Sequence, residues 1–553
     1  MSNRIIDFIK EHKAIILIIF AFFVIKLCFL FHPLVSLEYM YTTPAQEIIK
    51  HGFSFHWNYL MYYFEIMSNP LLTSYMLIPG FLAFGFSEFI ARLPVLLFAV
   101  IFLIVLYWFV IRYYNKNTAI IAAVLLALNP LFWLYSEQIT TDIIFTFFIS
   151  VAMLFCIEGI LQKKENRFVI SALFLALAMI TKYIALLYYG LAALFLLFGI
   201  KYNSIREFLA FDNLRRIFYQ GMPFGLLFLI IVVPYLLWMF IQFGFVMHPN
   251  LVELAWSRGV FAEMPLRFLG YLVWVAIFAG LFFLLALYDL YNRIRSTLAK
   301  KTIILYFILL LLLNVLLFSL IDIIKIYSLG ELHFGGLQTL LSPLQLHLVL
   351  GLLVFCGEII FLTIIFWFIY GSLLEKYFAA WIIYSLFALS TARPTQRYLM
   401  LIFVPLMIYF ATLVIRFASQ IRFKKMVWFL FYVNICVLLF FNLFLSVYEY
   451  KTSYAAKEIA DYLLKNDIKA QIHYDVISHN YYLLNESPFY QLDKRKEVIA
   501  AFDREYLVTD KSNLGKIPFN GKFEIVNSHI VEILGIQFKE FVVAKRINNA
   551  SVK

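Results

Sequence analysis

The sequence is poor in charge. Asp, Glu, Lys and Arg supply 14% of its 553 residues, where an ordinary soluble protein carries about 25%. So little charge cannot clothe a water-facing surface of this size, which excludes a soluble cytosolic enzyme and a disordered protein. Cysteine is scarce as well. The four present, Cys28, Cys156, Cys356 and Cys436, all lie inside apolar runs without CxxC spacing. That excludes a secreted disulfide scaffold and a thiolate metal site. There is no Walker A sequence, no GxGxxG after a strand and no HExxH, so nucleotide hydrolysis and paired-histidine metal chemistry lack support.

Apolar residues fill the space instead: 64% of the chain, with 62 Phe and 36 Tyr. Mean hydropathy is +0.87. This is the composition of a polytopic α-helical membrane protein, whose spans must satisfy their own backbone hydrogen bonds in lipid. At about 20 apolar residues per span, about thirteen spans fit. They lie near 14–32, 92–111, 118–135, 141–161, 168–181, 183–200, 222–243, 268–290, 302–321, 345–371, 377–391, 397–416 and 426–446. The basic N-terminus leads into an uncleaved first span rather than a signal peptide.

The net charge of +12 reads as orientation, with no nucleic-acid partner implied. Segments at 112–117, 162–167, 201–216, 291–301 and 416–425, with the N-terminus, hold about 20 Lys or Arg, against about eight in the alternate segments. The N-terminus is therefore expected in the cytoplasm, and an odd span count places the C-terminus outside. Two domains follow. Residues 1–446 form the membrane domain, with long outer segments at 32–91, 244–267 and 322–344. Residues 447–553 return to soluble-protein composition and form a small extracytoplasmic α/β domain. Within it, 453–466 has helical spacing, and 470–476, 504–511 and 540–546 read as strands.

The few charges at outer span ends are where chemistry is expected, because an ion near lipid is costly. Glu38 follows the first span. Asp142, close to Glu137, opens the fourth. Two carboxylates at one interface supply a general base and a partner that orients it, or they cap helices. Cations there oppose the positive-inside bias: Arg92, Lys182, Arg258, Arg267, Lys325, Arg393 and Arg397. They suit a lipid-linked phosphate, or they snorkel to headgroups. Glu65 and His333 are weak metal-ligand candidates; a divalent metal is compatible with the sequence but not required by it.

The order of these features resembles the GT-C membrane glycosyltransferases, in particular the protein mannosyltransferase and aminoarabinose transferase superfamily. The resemblance rests on LEYMY (37–41), NPLLTSYML (69–77), GFSEFIARLPVLLFAV (85–100), the helix pair 117–148 with Asp142 at its turn, ALAMITKYIALL (176–187) and STARPTQRYLMLIFVPLMI (390–408). It spans essentially the whole chain and implies a GT-C fold. The implied reaction is inverting transfer of a sugar from a polyprenyl phosphate to an acceptor hydroxyl, on a glycolipid, a surface glycan or a protein.

By carry-over, Glu38 and Asp142 fill the two acidic catalytic positions. Lys182, Arg258, Arg393, Arg397 and Tyr398 lie near the lipid phosphate. Glu65, Asn69 and Arg92 are further site candidates. A prokaryotic inner membrane is implied, because eukaryotic relatives usually carry a different inserted domain. The sequence departs from the family at Leu37-Glu38-Tyr39, where Asp or Asp-Glu is usual, and at Ser68-Asn69-Pro70.

A lipid or oligosaccharide transporter is the first rival and predicts charges along the midplane. A non-enzymatic assembly factor is the second and predicts dispersed acids. The enzyme reading predicts that Glu38, Asp142 and several of the cations converge at the outer face. It also predicts that Glu38→Gln abolishes transfer from a radiolabelled donor while folding stays intact; undiminished transfer removes Glu38 from the base role.

Overall fold

The computed structural model describes residues 2–34, 36–51, 71–199, 211–243, 260–295, 308–314, 343–391, 396–420, 424–466, 470–472, 506–511, 522–533 and 536–547. Among these, nine helices are long and apolar enough to cross a membrane. They account for nine of the expected spans. The spans expected at 118–135, 168–181 and 183–200 are built from shorter helices: Lys116–Ala127 with Pro130–Tyr135, Glu165–Met179, and Leu186–Phe198 after a 3-10 turn. Of 302–321, only 308–314 is described.

Local chemistry sets the breaks. Asn129-Pro130 splits one expected span: the Asn129 side chain accepts from the Leu131 N–H at 3.1 Å, and Pro130 takes the first helical position, where its missing N–H is harmless. Ser87 caps the helix Glu88–Tyr113 by accepting from the Ile90 N–H. Residues Phe228–Val232 widen into a π-helical turn just before Pro234, which has no N–H to donate.

Burial divides the bundle into centre and rim. The helix Thr141–Gln162 is 94% buried across its apolar window and Arg397–Ala418 is 83% buried, whereas Lys10–Phe29 and Arg215–Trp238 are 22% and 11% buried. The first two are the core, and the others turn Leu17, Phe20, Leu229 and Ile230 outward, as lipid-facing helices do. The described part of the segment after the first helix forms two helices, Ser36–His51 and Leu72–Phe84. They close over Leu34, Ala45, Leu77, Phe81, Ala91 and Ile139.

The C-terminal sheet has the strand order β1-β2-β4-β3, from β1 (Ala470–Ile472), β2 (Tyr506–Asp510), β3 (Lys522–Ile533) and β4 (Ile536–Ile547). β1 and β2 are parallel, and the other pairings are antiparallel. β3 is a strand that the sequence reading left out. Ala456, Ile459, Ala460 and Leu463 pack on Val508, Phe541 and Val543. The helix expected at 453–466 is the end of one helix, Lys424–Lys465, of 42 residues. At 1.5 Å per residue it is roughly 60 Å long, about twice the hydrocarbon core. Its apolar part, 426–446, is the span. From 447 onward it stands outside the span, so no linker separates the sheet from the membrane bundle.

Close backbone approach fixes the pair Val260–Ala279 and Pro343–Tyr370. A Cβ added at Gly357 would sit 2.2 Å from the Leu272 carbonyl oxygen. Gly357→Ala is therefore expected to separate these helices and cost roughly 1–3 kcal/mol, read as a lowered unfolding temperature in detergent.

Candidate active site

The site is built on the short turn between the helices Pro130–Tyr135 and Thr141–Gln162. Thr140 caps the second helix by accepting from the Asp142 N–H at 3.4 Å, which puts Asp142 in its first turn. Three buried ion pairs meet at this turn.

In the first, Lys26 Nζ lies 2.8 Å from Glu137 Oε2 and both side chains are buried. Ser446 Oγ donates to Glu137 Oε1 at 2.9 Å and accepts from Trp133 Nε1 at 2.9 Å. The Lys26 ammonium sits 4.0 Å from the Trp133 ring centre.

In the second, Arg92 grips Glu38 with two parallel hydrogen bonds, Nε to Oε1 at 2.7 Å and Nη2 to Oε2 at 2.6 Å. The Ile139 N–H adds a third to Oε1 at 2.9 Å. Arg92 also donates to the carbonyls of Leu30, His32 and Pro33. Both side chains are 0% exposed. The Glu38 carboxylate accepts three hydrogen bonds from two elements. Glu38, expected as a base, pairs with Arg92 in this structure.

In the third, Lys182 Nζ lies 2.9 Å from Asp142 Oδ1 and 4.6 Å from the Tyr398 ring centre. Arg397 Nη1 stands further off, 3.8 Å from Asp142 Oδ2. Asp142 Oδ2 and Arg397 Nε are both buried and, among the described residues, have no hydrogen-bond partner. Tyr41, one helical turn beyond Glu38, lies beside Lys182, Asp142 and Arg397. This group keeps unused bonding capacity.

The acids and cations thus converge. Glu38, Arg92, Asp142, Lys182, Arg397 and Tyr398 gather around residues 137–142. Arg258, Arg393, Glu65, Asn69 and His333 lie outside the described residues. Arg267 is buried. Lys26 was missed, although a lone lysine inside an apolar run is itself a signal. Glu449 was missed too. It lies three residues beyond Ser446, outside the span, and is partly buried. Burial, then the charges of Glu137 and Glu38, push its carboxyl up to about 7. His32, under Arg92, is held well below its ordinary range by burial and by that guanidinium, so it stays neutral.

Among the described residues no three His, Cys, Asp or Glu side chains are grouped as metal ligands. Glu38, Glu137 and Asp142 each already touch a buried cation. As arranged, these acids do not fit a divalent metal.

Removing one partner of a buried pair strands the other charge, at about 3–5 kcal/mol. Glu38→Ala and Arg92→Leu are each expected to lower the unfolding temperature, and the double variant to lose less than their sum. Additive losses would contradict the pairing.

Residues 68–238 match the sequence model of the family described as dolichyl-phosphate-mannose-protein mannosyltransferase. No curated protein sequence matches the chain. Several solved structures are similar, among them these two. One is ArnT from Cupriavidus metallidurans bound to undecaprenyl phosphate: 14% identity, 97% of this chain and 98% of that one covered, TM-score 0.43. The other is the archaeal oligosaccharyltransferase AglB from Archaeoglobus fulgidus with an inhibitory peptide and a dolichol phosphate: 13% identity, 91% and 70% covered, TM-score 0.46. The matched residues 68–238 include Arg92, Asp142 and Lys182, so the similarity to the dolichyl-phosphate-mannose-protein mannosyltransferase family covers that part of the chain.

Proposed function

We propose that this chain transfers a hexose or pentose, with inversion, from a polyprenyl-phosphate donor to an acceptor hydroxyl at the outer face of a prokaryotic inner membrane. The acceptor is a glycolipid, a surface glycan or a protein. The N-terminus is cytoplasmic and the C-terminal sheet lies outside. The observation that carries the reading is the unused capacity around Asp142: a loosely held Arg397 with a free Nε, next to Lys182 and Tyr398, where an apolar bundle meets polar outer helices.

The chemistry needs such a place. The acceptor oxygen bonds to the anomeric carbon as the bond from that carbon to the phosphate oxygen breaks, and the electron pair leaves on the phosphate. Lys182 and Arg397 stabilise that charge, and a buried, water-poor setting strengthens their effect. Asp142 aligns the two cations and keeps them from repelling each other before the donor arrives. The proton of the acceptor hydroxyl passes to a base. Transport is the weaker reading. Within the spans Glu358 contacts Asn314 at 2.6 Å, but that contact is a single polar link between helices, not a row of charges.

Lys182→Met removes one charge-assisted contact, which is worth about 1.5–3 kcal/mol. It is therefore expected to weaken binding of C55 polyprenyl phosphate to the chain in nanodiscs by roughly 10- to 100-fold, and to abolish sugar transfer from the labelled donor. Unchanged binding would sink the assignment of this group to the phosphate.

A further inference from the structure

We propose that Thr73 and Ser74 read the sugar of the donor, and that they select a neutral sugar whose own hydroxyls complete theirs. This inference rests on the glycosyl-transfer reading above and names the substrate class of that site.

The observation is a pair of orphaned hydroxyls. Both residues lie in the first turn of the helix Leu72–Phe84, and both are 0% exposed. Among the described residues neither Thr73 Oγ1 nor Ser74 Oγ has a hydrogen-bond partner. A buried hydroxyl in a helix usually donates to the carbonyl four residues back, as Thr42 does to Glu38 and Ser390 to Leu386. Thr73 and Ser74 stand too close to the start of their helix for that. The residues four back, Asn69 and Pro70, precede it. A buried polar group without a partner is costly, and native structures keep few of them. Two in adjacent residues mark a place that a ligand fills.

Two contacts locate the pair. At the start of the helix, the Tyr235 hydroxyl lies against the Leu71 backbone, Tyr75 and Tyr183, and Tyr183 follows Lys182 directly. Further along, Leu77 and Ile139 belong to the cluster onto which Tyr41 packs. Tyr41 is hydrogen-bonded to Thr141 and lies beside Lys182, Asp142 and Arg397. Leu71 and Leu77 are roughly 9 Å apart along the helix. Thr73 and Ser74 fall between them, on the face of Leu77 at i,i+4 and i,i+3 spacing. The two hydroxyls are therefore bracketed by groups that border the Asp142 site, which holds orphans of its own in Asp142 Oδ2 and Arg397 Nε. With the phosphate on Lys182 and Arg397, the sugar it carries extends to a neighbouring polar wall, and these two hydroxyls supply one.

The chemistry of that wall is selective. A hydroxyl both donates and accepts, which matches a sugar hydroxyl. The helix Leu72–Phe84 carries no charged residue. Asp142 already faces two cations, so an ammonium on the sugar meets excess positive charge there, and a carboxylate competes with the phosphate for the same cations. A site whose buried polar groups pair with substrate hydroxyls discriminates strongly, because a sugar without them leaves those groups unpaired.

The test uses the full chain in nanodiscs. It measures binding of bare C55 polyprenyl phosphate and of the same lipid carrying glucose, galactose, mannose, aminoarabinose or glucuronic acid. At least one neutral sugar should bind more tightly than the bare lipid, and the two charged sugars should not. Thr73→Val and Ser74→Ala should each weaken the favoured sugar lipid roughly 3- to 10-fold and leave the bare lipid unchanged. Their unfolding temperatures without ligand should hold or rise, because each change removes an unpaired buried hydroxyl; a hydroxyl with a purely structural partner would give a lower one. No gain from any neutral sugar, wild-type affinity in both variants, or an equal loss for bare and glycosylated lipid overturns the sugar assignment alone. Tighter binding of a charged sugar overturns the neutral class. A wild-type chain that binds neither bare nor glycosylated lipid overturns the underlying reading as well.

Discussion

The arrangement of the candidate site depends on the turn at residues 136–142 being held by three buried ion pairs. A buried charge without a partner is costly, so each pair fixes the position of whatever carries its other half. Lys26 anchors the first helix to Glu137. Arg92 and Glu38 anchor the second span and the outer helix, and the Ile139 N–H ties that pair to the turn. Lys182 and Arg397 bring two further regions to Asp142. Elements remote in sequence are therefore referenced to one short stretch of backbone, which is what a preorganised site requires.

The long helix Lys424–Lys465 adds a mechanical constraint. It leaves the bundle without a break and carries the sheet on its far end. Along one side Asn442 donates to the Leu128 carbonyl, Ser446 to Glu137, and Ser453 meets His32. Further out, His529 on β3 contacts Glu458 at 2.7 Å. A displacement of the sheet therefore reaches the turn through a continuous rod and not through a flexible linker.

The membrane architecture was legible because hydropathy reports it directly. The span limits near 92–111 and 141–161 fall inside observed helices, and 345–371 ends one residue beyond Pro343–Tyr370. Asp142, Lys182, Arg397 and Tyr398 were legible as exceptions to that hydropathy, and folding brings them together. Glu38 and Arg92 were legible as charged residues but not as a pair. Which cation meets which acid is decided by packing between elements 54 residues apart, and no local pattern carries it. Glu449 was hidden by the boundary drawn at 446. A soluble composition begins there, yet the helix does not end, and only an unbroken helix keeps Glu449 in phase with Ser446. β3 escaped notice because its two register shifts, at Ile525/Asn527 and Val531/Glu532, blur the period-two alternation.

The charge balance of the site also accounts for a division of labour. Four cations, Lys26, Arg92, Lys182 and Arg397, face four acids, Glu38, Glu137, Asp142 and Glu449. Three tight pairs leave one cation and one acid less committed: Arg397, 25% exposed and 3.8 Å from its partner, and Glu449. Of the four cations Arg397 alone is 25% exposed, the others being at most 6% exposed, so on the proposed reading it is the one that can turn to a departing phosphate without breaking a tight pair.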